Sequence, residues 1–245
     1  MGSYMQAENL KCRRTFAKAL VLIAPLCGLI QAALTGIYFI INGYNWWYTT
    51  LLPGFITLVP ALVARYEDKK LHYRAVFALP VSLKRTWTAK VLLVCLYLAT
   101  ACLLHLAGML LGKATVYSAV AAPVSVGQLI AASLLLIVTT AWQAPLCLFL
   151  ATRFGLAATI LVNVVGGIAL DILMSTRALW WLCPYSWGTR LMVPVLHVLP
   201  NGLPAEAGDP LLDPGVIPAG IVLPVALFAV LLKLTADWFA KREVK

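Results

Sequence analysis

Six stretches of this chain are apolar for about the thickness of a lipid bilayer. A helix needs about 20 mostly apolar residues to cross some 30 Å of hydrocarbon. The runs 19–41, 47–64, 91–111, 128–150, 154–174 and 216–238 come close to that length or exceed it. Charged residues make up 11% of the 245, where a soluble domain carries about a quarter. So few charges cannot cover a water-facing surface. The fold class is therefore all-α integral membrane, with six transmembrane helices in a single transmembrane domain over 1–245. The first run follows a basic start, as in a secretory signal, but it is longer than a signal's apolar core. It is read as a retained first span.

Charge placement sets the expected orientation. The net charge of +10 clusters between apolar runs rather than along a groove, which argues for topology and against nucleic acid. Sixteen Lys and Arg fall on one side of a six-span layout. Three fall on the other, Lys113, Arg177 and Arg190. The excess marks the cytoplasmic side of a cell membrane and predicts that both termini lie there. Met5, Leu10 and Phe16 suggest a short interfacial helix over 4–18. Asn42-Gly43 reads as a turn signal, followed by interfacial Trp46, Trp47 and Tyr48. A tight turn is expected there, at the far membrane face. Near the end of the last span, Lys233 and Asp237 stand i, i+4 and are expected to pair or snorkel.

The segment 65–90 is the longest polar stretch between two spans and holds seven Lys and Arg. Leu71, Ala75, Ala78 and Leu79 recur with helical spacing and would share one face. Lys69, Lys70 and Tyr73 point elsewhere, and Arg74 is a further basic residue of the segment. Glu67 and Asp68 suit the first turn of a helix. Pro80 ends it, and Ser82 is placed to cap the next. Two short helices at the membrane surface are predicted. A solvated basic loop, a helix lying on lipid headgroups, and a docking element for a cytoplasmic partner all fit this pattern.

Chemistry is sparse elsewhere. No GxxxxGK[ST] is present, so the chain has no phosphate cradle of its own. No HExxH, GxSxG or paired in-span carboxylates occur, and no polar groups cluster as an enzyme would need. The six cysteines form no CxxC and read as buried apolar thiols. His72, His105 and His197 read as structural. Four polar residues inside spans are candidates for a substrate path: Gln31, Gln143, Asn163 and Asp171. Each also fits the plainer role of bonding helices together.

The stretch 175–217 is rich in aromatics and prolines, then acidic. A seventh span there would bury Arg190 at roughly 3 kcal/mol and put the basic C-terminus outside. Short helices dipping into the outer leaflet are expected instead. Trp180, Trp181, Glu206, Asp209 and Asp213 are candidate outer contacts, and the three acids could attract a positively charged partner. A solvated loop fits the same residues.

Three motifs carry a family resemblance: QAENLKCRRTF at the start, NWWYTTLLPGF after the first span, and EDKKLHYRAVFALPVSLKRTWTAK. Together they resemble the permeases of lantibiotic-immunity ABC transporters, of the LanE/LanG kind and nearer the MutE/EpiE branch. At motif level the resemblance covers about the first 110 residues. The later half carries it by topology alone. It implies an ABC-2-type exporter fold with an N-terminal interfacial helix, a coupling helix between spans two and three, and re-entrant helices between spans five and six. The coupling helix would be Glu67–Pro80, with Leu71, Ala75, Ala78 and Leu79 docked on the nucleotide-binding subunit. The partners implied are two ATPase subunits, a second permease (related or identical), membrane lipids, and a lantibiotic or similar cationic peptide to be expelled. This chain would hold no cofactor, since ATP and Mg²⁺ belong to the ATPase. A peptide-binding sensor and, more remotely, a membrane enzyme remain as other readings.

Overall fold

The computed structural model describes residues 1–13, 15–71, 81–115 and 124–242, with backbone alone over 66–71. Among these residues the chain is helical, with no strand beyond one isolated bridge, Val198 with Pro204. Six helical segments are long and apolar enough to cross a membrane: Phe16–Ala33, Gly36–Arg65, Leu83–Ala114, Val126–Phe154, Leu156–Met174 and Pro214–Ala240.

A short helix α1 (Gly2–Cys12) precedes the first span, α2 (Phe16–Ala33). The helix expected over 4–18 thus ends at Cys12, and Phe16 already belongs to the span. Leu10 and Phe16 are exposed as expected, but Glu8 is buried, because α1 packs on the third span.

The turn between the first two spans is not at Asn42-Gly43. It lies at Leu34–Gly36, where Gly36 adopts φ +57. Asn42 and Gly43 sit inside helix α3 (Phe39–Trp46). Tyr44, Trp47 and Tyr48 belong to the core, and only Trp46 of that aromatic run is exposed. The reason is His105, whose ring stacks on Trp47 at 4.6 Å and meets Tyr44 edge-on at 5.1 Å. Tyr44 OH also donates to the Leu129 carbonyl (3.0 Å) and pairs with Ser133 Oγ (2.9 Å). Buried partners outweigh the local turn preference.

A π-helical turn, Trp47–Leu51, joins α3 to α4 (Leu52–Leu71). Pro53 has no N–H to donate, and the Leu52 amide reaches back to the Trp47 carbonyl, widening the turn just before it. α4 then runs unbroken through Leu71. Glu67 and Asp68 therefore lie in its last turns, not in the first turn of a separate helix. No glycine or proline falls between Ala61 and Leu71 to stop it.

The third span, α5 (Leu83–Ala114), is the longest helix and starts well before 91. Ser82 caps it, its Oγ accepting from the Arg85 amide. The fourth span is α6 (Val126–Ala141) and α7 (Gln143–Phe154), interrupted at Trp142. Pro145 cannot bond the Ala141 carbonyl, which loosens that turn. The fifth comprises α8 (Leu156–Thr159), a π-helical stretch Ile160–Gly166, and α9 (Gly167–Met174).

Beyond Met174 the chain turns back into the bundle. Two 3-10 turns, Trp180–Leu182 and Pro184–Ser186, lead to α10 (Trp187–Leu196). Trp187 packs beside Trp142 (ring centroids 6.3 Å), near the middle of the fourth span. α10 then returns along α6, until Gln128 Nε2 donates to the Val195 carbonyl (3.0 Å) and His197 closes the helix in the left-handed region. The dip makes room for Arg190. Its Nη1 donates to the Leu211 carbonyl (2.6 Å) and its guanidinium lies 5.9 Å from the Trp180 ring. Burial pushes the Arg190 pKa down, while Asp213 and Asp209 push it back up.

The last span ends α11 (Ile217–Ala240) beside the start of α5. Trp87 Nε1 donates to Thr235 Oγ1 (2.9 Å), and its ring stacks on Phe239. Asp237 pairs with Lys84 at 2.5 Å, not with Lys233. The packing of α5 on α11 brings Lys84 closer than the i, i+4 neighbour. α1, the start of α5 and the end of α11 thus gather at one end of the bundle.

Candidate functional site

Two polar constellations stand out, one at this end and one inside the bundle. The first is a clamp on α5. Glu8 on α1 accepts from Lys90 Nζ (2.5 Å) and from Lys11 Nζ (2.7 Å). The Glu8 and Lys90 side chains are only 4% and 2% exposed, so this ion pair is closed to water. Tyr97 OH donates to Asn9 Oδ1 (2.7 Å), and the Ser82 amide donates to Tyr4 OH (3.4 Å). With Lys84–Asp237 and Trp87–Thr235, α1 and α11 are each bonded to the first turns of α5. Of the polar segment 65–90, Glu67, Asp68, Lys69, Lys70 and Leu71 lie on the end of α4. Tyr73, Arg74, Ala75, Ala78, Leu79 and Pro80 lie outside the described residues.

The second constellation is a seam of polar side chains between the second, fourth and fifth spans and α10. Thr159, Asn163, Gly167 and Asp171 recur every fourth residue along the fifth span and all face inward. Leu161, Val165, Ile172 and Leu173 on the same span are exposed. The π-helical stretch, wound more loosely than an α-helix, keeps this four-residue register on one face. Asn163, 1% exposed, donates from Nδ2 to both Thr57 Oγ1 and Gln143 Oε1, each at 2.8 Å. Further along the span, Thr189 Oγ1 donates to Asp171 Oδ2 (2.6 Å). A cavity of about 30 Å³ lies along the seam, lined among others by Tyr48, Thr140, Gln143, Asn163, Asp171 and Thr189. Asn163 Oδ1 and Asp171 Oδ1 are buried in it without hydrogen-bond partners.

Three of the four in-span candidates, Gln143, Asn163 and Asp171, therefore border one cavity. Gln31 does not: it lies on α2, outside the lining. Thr57, Tyr48 and Thr189 were missed by the sequence reading. The four-residue spacing of Thr159, Asn163, Gly167 and Asp171 is the local signal that could have marked the fifth span's inner face. Nothing local marked Thr57 or Tyr48.

The outer candidates divide differently. Trp180 is buried with Trp142 and Trp187, and Trp181 is exposed. Asp209 and Asp213 cap 3-10 turns, accepting from the Leu211 and Gly215 amides (both 2.8 Å), and flank Arg190. Glu206 lies on the exposed loop. Tyr185 packs edge-on against Trp142, and burial raises its phenol pKa. Among the described residues no group of three or more His, Cys, Asp or Glu is placed to hold a metal, and all six cysteines are free thiols.

Replacing Asn163 by Leu removes two buried hydrogen bonds and leaves the Gln143 carbonyl oxygen unpaired. The expected loss is about 1–2 kcal/mol. Adding Gln143→Leu should cost little more, because both side chains share one network. Unfolding curves in mixed micelles measure both.

Compared with known proteins, the chain matches no family model, no curated protein and no solved structure.

Proposed function

We propose that this chain is the membrane permease of an ABC exporter of ABC-2 type, which expels a lantibiotic or similar cationic peptide and takes its energy from a separate ATPase. The observation that carries this reading is the clamp on α5. A continuous helix starts at Leu83, within the polar segment and shortly after Pro80, and its first turns are bonded to α1 and α11. A push on residues 72–80 would reach the whole helix end rather than dissipate in a loose loop. A merely solvated basic loop has no use for such anchoring. The motif resemblance supplies the partner class, and the absence of a nucleotide-binding motif is consistent with hydrolysis on another subunit.

The docking face of Leu71, Ala75, Ala78 and Leu79 gives the test. Leu79→Asp or Ala75→Asp places a charge where an apolar contact is proposed. Each should abolish peptide resistance in cells while the chain still reaches the membrane at normal levels. Full resistance in both variants would remove the docking assignment.

The charged outer loop adds a smaller expectation. Asp209 and Asp213 are engaged by backbone amides and lie near Arg190, which leaves Glu206 as the freest acid of the three. Neutralising all three should lower resistance only modestly, measured as a shift in inhibitory peptide concentration.

A further inference from the structure

We infer that the cavity between the second, fourth and fifth spans is a binding site for one small monovalent cation, of the alkali type, with Asp171 supplying the counter-charge and water reaching on to Asn163. The lining is a hard-oxygen set: the Asp171 carboxylate, the Asn163 and Gln143 amide oxygens, and the hydroxyls of Tyr48, Thr140 and Thr189. Such ligands suit alkali and alkaline-earth ions rather than soft metals. One carboxylate balances one positive charge, whereas a divalent ion would leave a net charge inside the membrane, at high cost.

Among the described residues Asp171 has no basic partner that would make this ion unnecessary: no Lys, Arg or His forms an ion pair with it. Arg190, next to its hydrogen-bond partner Thr189, turns instead to the Leu211 carbonyl. Tyr48 and Tyr185 are the other titratable groups lining the cavity, and both are neutral phenols.

A proton on Asp171 would satisfy only part of the site. Asn163 Oδ1 is a second buried acceptor without a partner, eight residues away on the same face of the span. An amide oxygen binds no proton at physiological pH. A volume of about 30 Å³ has room for an ion and a water but excludes any peptide. An ion at Asp171 with water extending to Asn163 occupies the space and meets both acceptors. Two π-helical turns, Trp47–Leu51 and Ile160–Gly166, adjoin this cavity, supplying Tyr48 and Asn163. Such turns concentrate at functional sites.

The test reads binding, not transport, so its result is independent of the exporter reading. The purified full-length chain in detergent is unfolded by heat in choline, sodium or potassium chloride at one ionic strength. At about ten times Kd, sodium or potassium should raise Tm by about 3–6 °C over choline, saturably. Asp171→Asn, which preserves shape, should abolish that shift and should unfold no earlier than the wild-type chain in choline. Equal Tm in all three salts would overturn the site. So would a shift that survives in Asp171→Asn, or an Asp171-dependent response to acid without any response to alkali ions.

Discussion

A Glu8→Gln chain should lose about 3–5 kcal/mol of stability, more than any other conservative change considered for this protein. Lys90 is 2% exposed and sits at the first turns of a membrane span. Without the Glu8 carboxylate its buried ammonium loses the anion it pairs with at 2.5 Å. Removing one partner of a buried pair is costly for that reason, whereas replacing both is often mild. Glu8→Leu combined with Lys90→Met should therefore recover most of the loss. The double chain should fold yet transport poorly, since α1 would no longer be tied to α5 by charge. Unfolding of the purified variants gives the first result, and peptide resistance in cells gives the second.

Gly112→Val is expected to cost about 1–3 kcal/mol or to prevent assembly of the first spans. A β-carbon at Gly112 would collide with the ring of Phe39, which is buried at the start of α3. That ring has little freedom to swing away. Small residues let membrane helices approach closely, where lipid supplies no hydrophobic drive to hold them. A compensating Phe39→Ala should restore part of the loss by vacating the space. Thermal unfolding of both variants tests the pair.

The apolar runs made the helical class and six spans legible, because length and composition alone decide whether a helix can cross a bilayer. The Ser82 cap was legible too, since capping is local chemistry. What the sequence hid was set by contacts between distant residues. Asn42-Gly43 has the local signature of a turn, but the rings of Tyr44 and Trp47 pack on His105, some sixty residues away, and the helix continues. Lys233 is the sequence neighbour of Asp237, yet helix packing delivers Lys84. Glu8 and Lys90 lie 82 residues apart, and no spacing rule connects them. At the polar cavity, Gln143, Asn163 and Asp171 stood out as polar residues in apolar runs. Their convergence on one cavity, and the arrival of Thr57, Tyr48 and Thr189, depended on the second span and α10 folding against them.

Purifying the tagged chain from its native membrane in mild detergent, with mass spectrometry of everything retained, tests the central claim most directly. The account predicts a soluble ATPase in stoichiometric amount and a second six-span protein, with the ATPase lost from Leu79→Asp preparations. A chain that purifies alone, with residues 65–90 open to protease in inside-out vesicles, would contradict it.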